Sequence, residues 1–585
     1  VQGGDDLGMY NLSVGYVKSL STANKNDFDR LNVRFNTDIK ILWNLITKFD
    51  MSFANTNNNV FDDGIPADLT AGQVTSPTFL SLIKSPLVSP YQYNKLANDG
   101  KGGFTNLLSN YDDLFSQLGD EYSLANPMAI LENGNGDNKN KSGNTYFNVH
   151  VEPTFSFNDN LKITTLFSYL LNRNTQMYAR PYNGVPPFQI DGLGTVTSMS
   201  AKMFAKQSSI LSNTHIDWAK KIGRQDIAAY LGFRYTYFSY DNSDLSTNYT
   251  GITNDKNTPI SASTGYKNIA GANDVWKNFQ WYANGDYNYM NRYFATVSLL
   301  AEANSRFGKN ASGLSFLSTK WAIFPSVQLG WVMSNENWFS KSSAINYLRL
   351  NAGFDMSGND DISNYAARSS FTAVRYNNDV IGVQLTNIGN DNIQWEKTTK
   401  WNVGLQTYMF NNRLGMNADF FIHNTNNLLT LKSFDNPIGG INNYWSNGGS
   451  LKNTGFEVEL SGKPLMSKDW QLELGVSMAH YKNEVTKLPD GKFTTSVYGD
   501  NNILTEEGRP VGVFYGYQTA GVFSTDAEAK AAGNGDYLKF ADETGNYQYF
   551  KAGDVHFIDQ NGDGMIDKQD KVVIGNPNPK LYGNM

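Results

Sequence analysis

The sequence predicts an all-β chain, a transmembrane antiparallel barrel of the outer-membrane kind, with long extracellular loops and short periplasmic turns. Three observations carry that prediction. Apolar and polar residues alternate with period two, the alternating segments are long, and the connections between them are short and long by turns.

The alternation comes first. Phe147, Val149, Val151, Phe155 and Phe157 interleave with Asn148, His150, Glu152, Thr154 and Ser156. Past the turn Asn158-Asp159-Asn160, Leu161, Ile163, Phe167 and Tyr169 oppose Lys162, Thr164 and Ser168. Ile227, Ala229, Leu231, Phe233, Tyr235 and Tyr237 share one face, against Arg234 and Thr236. Tyr293 to Leu299, Val403 to Thr407 and Met416 to Ile422 repeat the pattern, the last two across an Asn411-Asn412 turn. Side chains alternate across a strand, so each segment has one apolar and one wet face. Phe147, Val149, Leu231, Phe233 and Phe420 are expected to face lipid, and Lys162 and Arg234 the interior. A charge on the lipid face at mid-membrane costs roughly 2–4 kcal/mol.

Fifteen segments are read as strands, at 10–20, 30–41, 43–55, 144–157, 161–171, 208–219, 227–239, 277–289, 293–303, 321–334, 347–355, 399–410, 414–424, 454–463 and 470–482. Soluble strands have a mode of about 5–6 residues, whereas about 9–11 are needed to cross a bilayer at a tilt. Brief connections at 158–160, 220–226, 290–292, 335–346, 411–413 and 464–469 alternate with long ones at 56–143, 172–207, 240–276, 356–398 and 483–580. A barrel with turns on one side and loops on the other sorts its connections this way. Fifteen is odd where bacterial single-chain barrels have even numbers, and an open barrel would leave edge strands unpaired in lipid, which is costly. The chain therefore reads as 15–16 strands of a longer barrel, with "PKLYGNM" (579–585) opening a further strand.

Composition agrees and excludes other classes. Charged residues are 18% of the 585 and aromatics 14%, with 52 Gly against 17 Pro, a mix that favours strands and turns over helical bundles. A net charge of −7 lends a nucleic-acid role no electrostatic support. There is no cysteine, hence no disulfide or thiolate metal site. Mean hydropathy is −0.45 and no apolar run is long enough for a membrane helix. No secretory signal is visible. The five histidines (His150, His215, His423, His480, His556) are scattered, and no nucleophile elbow, phosphate loop or zinc pair appears, so no enzyme is read here.

One motif carries metal chemistry. In "DQNGDGMIDKQD" (559–570), Asp559, Asn561 and Asp563 hold positions 1, 3 and 5 of a calcium loop. Gly564 stands at the sharp turn, Met565 offers its carbonyl, and Asp567 and Asp570 hold positions 9 and 12. Ile566 is the apolar anchor. The flanks "DVHFI" and "KVVIGNPNP" do not form a helix pair, so the loop alone is used, as a clip. The expected ligand is Ca²⁺. Asp570 is shorter than the usual Glu, which leaves Mg²⁺ as the alternative.

An ordered set of motifs runs along the chain: "VQGGDDLGMYNLSVGY" (1–16), "FDRLNVRFNTDI" (28–39), "NSRFGKN" (304–310), "FPSVQLGWVMSNENWF" (324–339), "NYLRLNAGFDMSGNDDISNY" (346–365), "IQWEKTTKWNVGL" (393–405), "NTGFEVEL" (453–460), "EEGRPVGVFYGY" (506–517) and "AGDVHFIDQNGDGMIDKQDKVVIGNPNPK" (552–580). In this order they resemble the SusC/RagA-like TonB-dependent outer-membrane transporters of the Bacteroidota. The chain departs from the family at "LLAEANSRFG" (299–308). The resemblance implies a 22-stranded barrel around a plug, of which residues 1–585 are the partial barrel, with 56–143 and 483–580 as long extracellular loops. It implies import of a bulky nutrient, oligosaccharide or peptide, with a SusD-like surface lipoprotein, and contact with TonB through a segment outside this chain. The alternative is a non-transporting barrel serving as a scaffold subunit of a larger outer-membrane assembly.

Overall fold

The computed structural model describes residues 1–22, 24–59, 76–94, 103–107, 125–133, 140–180, 188–190, 194–196, 199–248, 267–339, 344–377, 380–438, 441–489, 491–498, 501–533, 536–541 and 545–585. The chain divides into two compact units, 1–217 with 232–279, and 218–231 with 280–585.

In the first unit, strands β1 (Gly8–Leu20), β2 (Asp27–Leu42), β3 (Leu45–Asn59), β4 (Lys141–Asn158) and β5 (Leu161–Arg180) pair in sequence order, each antiparallel to the next. Their register keeps like with like. Leu12, Phe35, Met51, Val149 and Tyr169 are successive cross-strand partners, and one step along run Asn11, Asn36, Asp50, His150 and Ser168. A one-residue slip would exchange these rows, so the alternation itself fixes the register. Lys162 pairs with Ser156 and so lies on the polar face, as predicted. Helices α1 (Pro77–Ile83) and α2 (Pro127–Asn133) belong to the long connection after β3, and Leu80 there packs fully buried against Ala125 and Ile130. Leu80 is the core of its own connection, while Leu82 is 79% exposed.

Three strands draw residues from both units: β6 (Met199–Ile222), β7 (Gln225–Asn248) and β8 (Lys267–Tyr289). In the second unit, β9 (Tyr293–Asn304), β10 (Thr319–Val332), β11 (Tyr347–Asn359), β12 (Glu396–Met409), β13 (Leu414–Asn426), β14 (Ser450–Met466) and β15 (Gln471–Lys487) again pair in order. One face carries the row Ala295, Leu329, Ala352, Val403, Phe420 and Phe456. The other carries Ser326, Asp355, Lys400, His423, Asn453 and Asn483, with Lys400 Nζ 3.3 Å from an Asp355 carboxylate oxygen. All fifteen predicted segments are strands. Most run further than predicted at the end bearing the long connections, so that 172–207 and 240–276 are in part strand. Phe410, Asn411 and Asn412 all have φ near +55 to +61°, the left-handed backbone a tight hairpin needs and which Asn tolerates.

Among the described residues the buried clusters gather in the connections, and the one around Trp395 reaches onto β10 through Ala322 and Phe324. The largest buried side chains, Trp395, Phe523, Leu80, Ile393 and Leu538, all sit in connections. Along the strands the apolar face is uncovered, with Trp401 54%, Val403 52% and Phe420 48% exposed. Open apolar rows of this extent mark a surface made for an apolar surrounding.

Candidate functional site

The acidic loop 559–570 is held in a small domain of the second unit. Strands β16 (Phe493–Tyr498), β17 (Asn501–Thr505), β18 (Val513–Tyr517) and β19 (Lys571–Gly575) make a four-stranded sheet. Beside the loop, Phe523, Leu538, Phe550 and Ile566 close a hydrophobic cluster with Ala529 of helix α3 (Asp526–Ala532). Ile566, the predicted anchor, is 8% exposed. Its amide donates to the Lys539 carbonyl (2.7 Å) and the Lys539 amide to the Gly564 carbonyl (3.3 Å), which pins the turn from behind. Gly564 has φ +81°, so the glycine at position 6 answers a backbone requirement.

The acidic side chains are tied to the loop backbone. Asp559 accepts from the Gly562 and Gly564 amides through its two oxygens, both at 2.7 Å. Asp563 accepts from Met565 N (2.8 Å), and Asn561 from Asp563 N (3.0 Å). Asp570 is fully buried and accepts from Gln560 N (2.8 Å) and Asp567 N (2.7 Å), while Asp567 accepts from Gln569 N (2.7 Å). Backbone amides thus supply part of the compensation that this density of charge needs. Among the described residues no three His, Asp or Glu side chains are gathered closely enough to hold a metal ion. The donor set is nevertheless one a hard cation accepts: oxygens only, from Asp559, Asn561, Asp563, Asp567, Asp570 and the Met565 carbonyl. Each carboxylate oxygen that accepts one amide keeps a second lone pair.

Two neighbours escaped the sequence reading. Burial, and after it the carboxylates of Asp567 and Asp570, push the Tyr517 phenol above its usual range. Lys571 places its Nζ 5.3 Å from the centre of the Tyr517 ring. Both follow from the pairing of Tyr517 with Lys571, more than fifty residues apart, for which local sequence carries no signal. His150 does what a polar-face histidine does, meeting the Asn148 side chain at 2.7 Å.

Long paired strands, one uncovered apolar face and folded connections define a membrane β-barrel protein. Residues 78–564 match the family described as TonB dependent receptor-like, beta-barrel, and the chain belongs to that family of outer-membrane proteins. It is 24% identical to the TonB-dependent receptor SusC of Bacteroides thetaiotaomicron, over 97% of this chain and 53% of that protein. A TonB-dependent receptor of Formosa agariphila is 28% identical over 80% of this chain and 45% of its own length. The chain spans about half the length of the curated relatives it matches. The RagAB peptide transporter superposes with a TM-score of 0.70 at 19% identity, over 100% of this chain and 58% of that one, which shows a shared fold.

Proposed function

We propose that this chain is the barrel portion of a TonB-dependent importer that takes up a bulky nutrient, an oligosaccharide or a peptide, beneath a SusD-like surface lipoprotein. The observation that carries the reading is the family match across residues 78–564. The likeness to SusC supports the lipoprotein partner and the energy-coupled route. The folded connections support it as well. Phe307, Ile362, Ile393 and Trp395 build one buried cluster among them, where Trp395 Nε1 donates to the Glu302 carboxylate (3.0 Å) and Arg306 holds Asn364 (2.6 Å) and the Asp360 carbonyl (2.8 Å). Connections with their own cores present fixed surfaces, which a capping partner can use and an open pore does not need. The full-length protein, tagged and purified in mild detergent from its own host, should bring down a surface lipoprotein in near-equal amount. Recovery of the barrel alone, repeatedly and from crosslinked cells, would count against the reading.

The acidic loop is assigned a structural role in the same machine: it takes one Ca²⁺, with Mg²⁺ as the alternative, through Asp559, Asn561, Asp563, Asp567, Asp570 and the Met565 carbonyl. The ion would neutralise the cluster and clip the end of the 483–580 connection. An extracellular site needs affinity only on the order of 10⁻⁴ to 10⁻³ M.

A further inference from the structure

We infer that the outward face of β2 to β5, just beyond the apolar band, is a binding site for the phosphorylated saccharide headgroup of an outer-leaflet glycolipid. The inference rests on the outer-membrane placement of the chain, and the argument begins with register. On β4 the apolar row descends through Phe147, Val149, Val151, Pro153 and Phe155, and on β5 Leu171 and Tyr169 stand beside Phe147 and Val149. From Phe147 to Phe157 is about 33 Å of strand at 3.3 Å per residue, or roughly 25 Å of height at the tilt of a barrel strand. That is the height of the apolar band of an outer-membrane barrel.

The pairing then continues, without a bulge, past the end of the band. Thr145, Gly143 and Lys141 on β4 pair with Asn55, Asn57 and Asn59 on β3, and with Arg173, Thr175 and Met177 on β5. On β2, Asp29 and Asp27 pair with Asn57 and Asn59. All share the parity of Phe53, Phe147 and Leu171, so they face where those side chains face. The composition of that face changes at one row, from apolar to carboxamide, hydroxyl and charge. By the same rise and tilt these residues stand roughly 5–15 Å above the hydrocarbon edge, the layer that headgroups occupy. The face is recessed there. A cavity of about 710 Å³ is lined by Asp29, Asn55, Asn57, Lys141, Thr145 and Arg173, among others.

The chemistry selects the occupant. The Asn57 amide donates to Asp29 (3.2 Å) and the Thr145 hydroxyl to Asn55 (3.1 Å), so the carboxamides are oriented, and each keeps further donor and acceptor sites. Oriented carboxamides and a carboxylate are the groups that grip adjacent sugar hydroxyls. Arg173 and Lys141 on the same face suit a phosphate. A protein interface of this size would be expected to carry an apolar or aromatic centre, and this face has none between Phe147 and Met177. The site also continues the lipid-facing band without a break, and a glycolipid would fill both, with acyl chains on the apolar rows and its headgroup in the recess.

The test uses the full-length protein, delipidated, inserted into nanodiscs and titrated with a phosphorylated glucosamine-disaccharide lipid, with phosphatidylethanolamine and inorganic phosphate as separate arms, read by native mass spectrometry. Wild-type protein should retain the glycolipid in preference to phosphatidylethanolamine. Arg173→Gln combined with Asn57→Ala should weaken glycolipid retention at least tenfold, and Lys48→Gln, on the opposite face, should leave it unchanged. Heat-modifiable migration on gels shows that each variant is folded, and Arg173→Gln alone is read if the double variant is not. Equal retention of the glycolipid by wild type and variant overturns the inference. So does displacement by inorganic phosphate at equal concentration, which would make the recess a simple anion site, and so does pairing of two copies through this face without bound glycolipid. Failure to enter nanodiscs at all would instead overturn the membrane placement on which the inference rests.

Discussion

Asp570 shows how much of the acidic loop a single residue decides. It is fully buried and accepts two backbone amides, one from each side of the turn. Asp570→Ala leaves both donors without a partner, at about 1–3 kcal/mol for each group left unsatisfied. The calcium assignment has a separate consequence. Amide exchange over 555–575 should slow in Ca²⁺ relative to chelator in the wild type, and be indifferent to Ca²⁺ in Asp559→Ala with Asp563→Ala, while the barrel stays folded in both. Exchange in the wild type that is identical in Ca²⁺ and chelator would remove the metal from the account. The spacing of Asp559, Asn561, Asp563 and Gly564 was legible in the sequence because the turn is local. The burial of Asp570 and the nearness of Tyr517 were not, since they depend on the β18–β19 pairing.

At the scale of the element, periodicity carried nearly everything. Strands with one apolar and one polar face state their own register, and the rows through Met51–Val149–Tyr169 and Ala352–Val403–Phe420 follow from alternation alone. Strand ends were read too short where the alternation fades. The run "NTNNN" at 55–59 looks like a loop by composition, yet it pairs residue for residue with 141–145. The short strands of the loop sheet were missed because β16, β17 and β18 are only 6, 5 and 5 residues long, below the length that marks a barrel strand, and because the β18–β19 pairing is distant. The register also makes a quantitative demand. Val151→Arg, in the apolar row, should lower the unfolding free energy in lipid vesicles by about 2–4 kcal/mol, the cost of a lipid-facing charge at mid-membrane. Asn148→Arg, on the polar face, should cost far less. Equal losses would mean that the two faces have been exchanged or that neither meets lipid.

For the whole molecule the connections predict a direction across the membrane. The turns at 158–160 and 411–413 are a few residues long, and the described turn 410–412 is a tight left-handed hairpin. At the opposite strand ends lie the segments with their own buried clusters, around Leu80, around Trp395, and around Phe523 beside the acidic loop. Outer-membrane barrels keep short turns in the periplasm and long loops outside, so the folded connections should face the medium. A protease site placed at 158–160 or 411–413 should then resist cleavage in intact cells and be cut only after the outer membrane is opened. The same site placed after Lys487, or within 360–369, should be cut in intact cells unless a surface partner covers it, and cleavage should rise when that partner is deleted. Cutting at 411–413 in intact cells, with the long connections protected even without any partner, would reverse the orientation. It would also put the acidic loop on the periplasmic side, where plentiful extracellular calcium could no longer be the reason for a weak site.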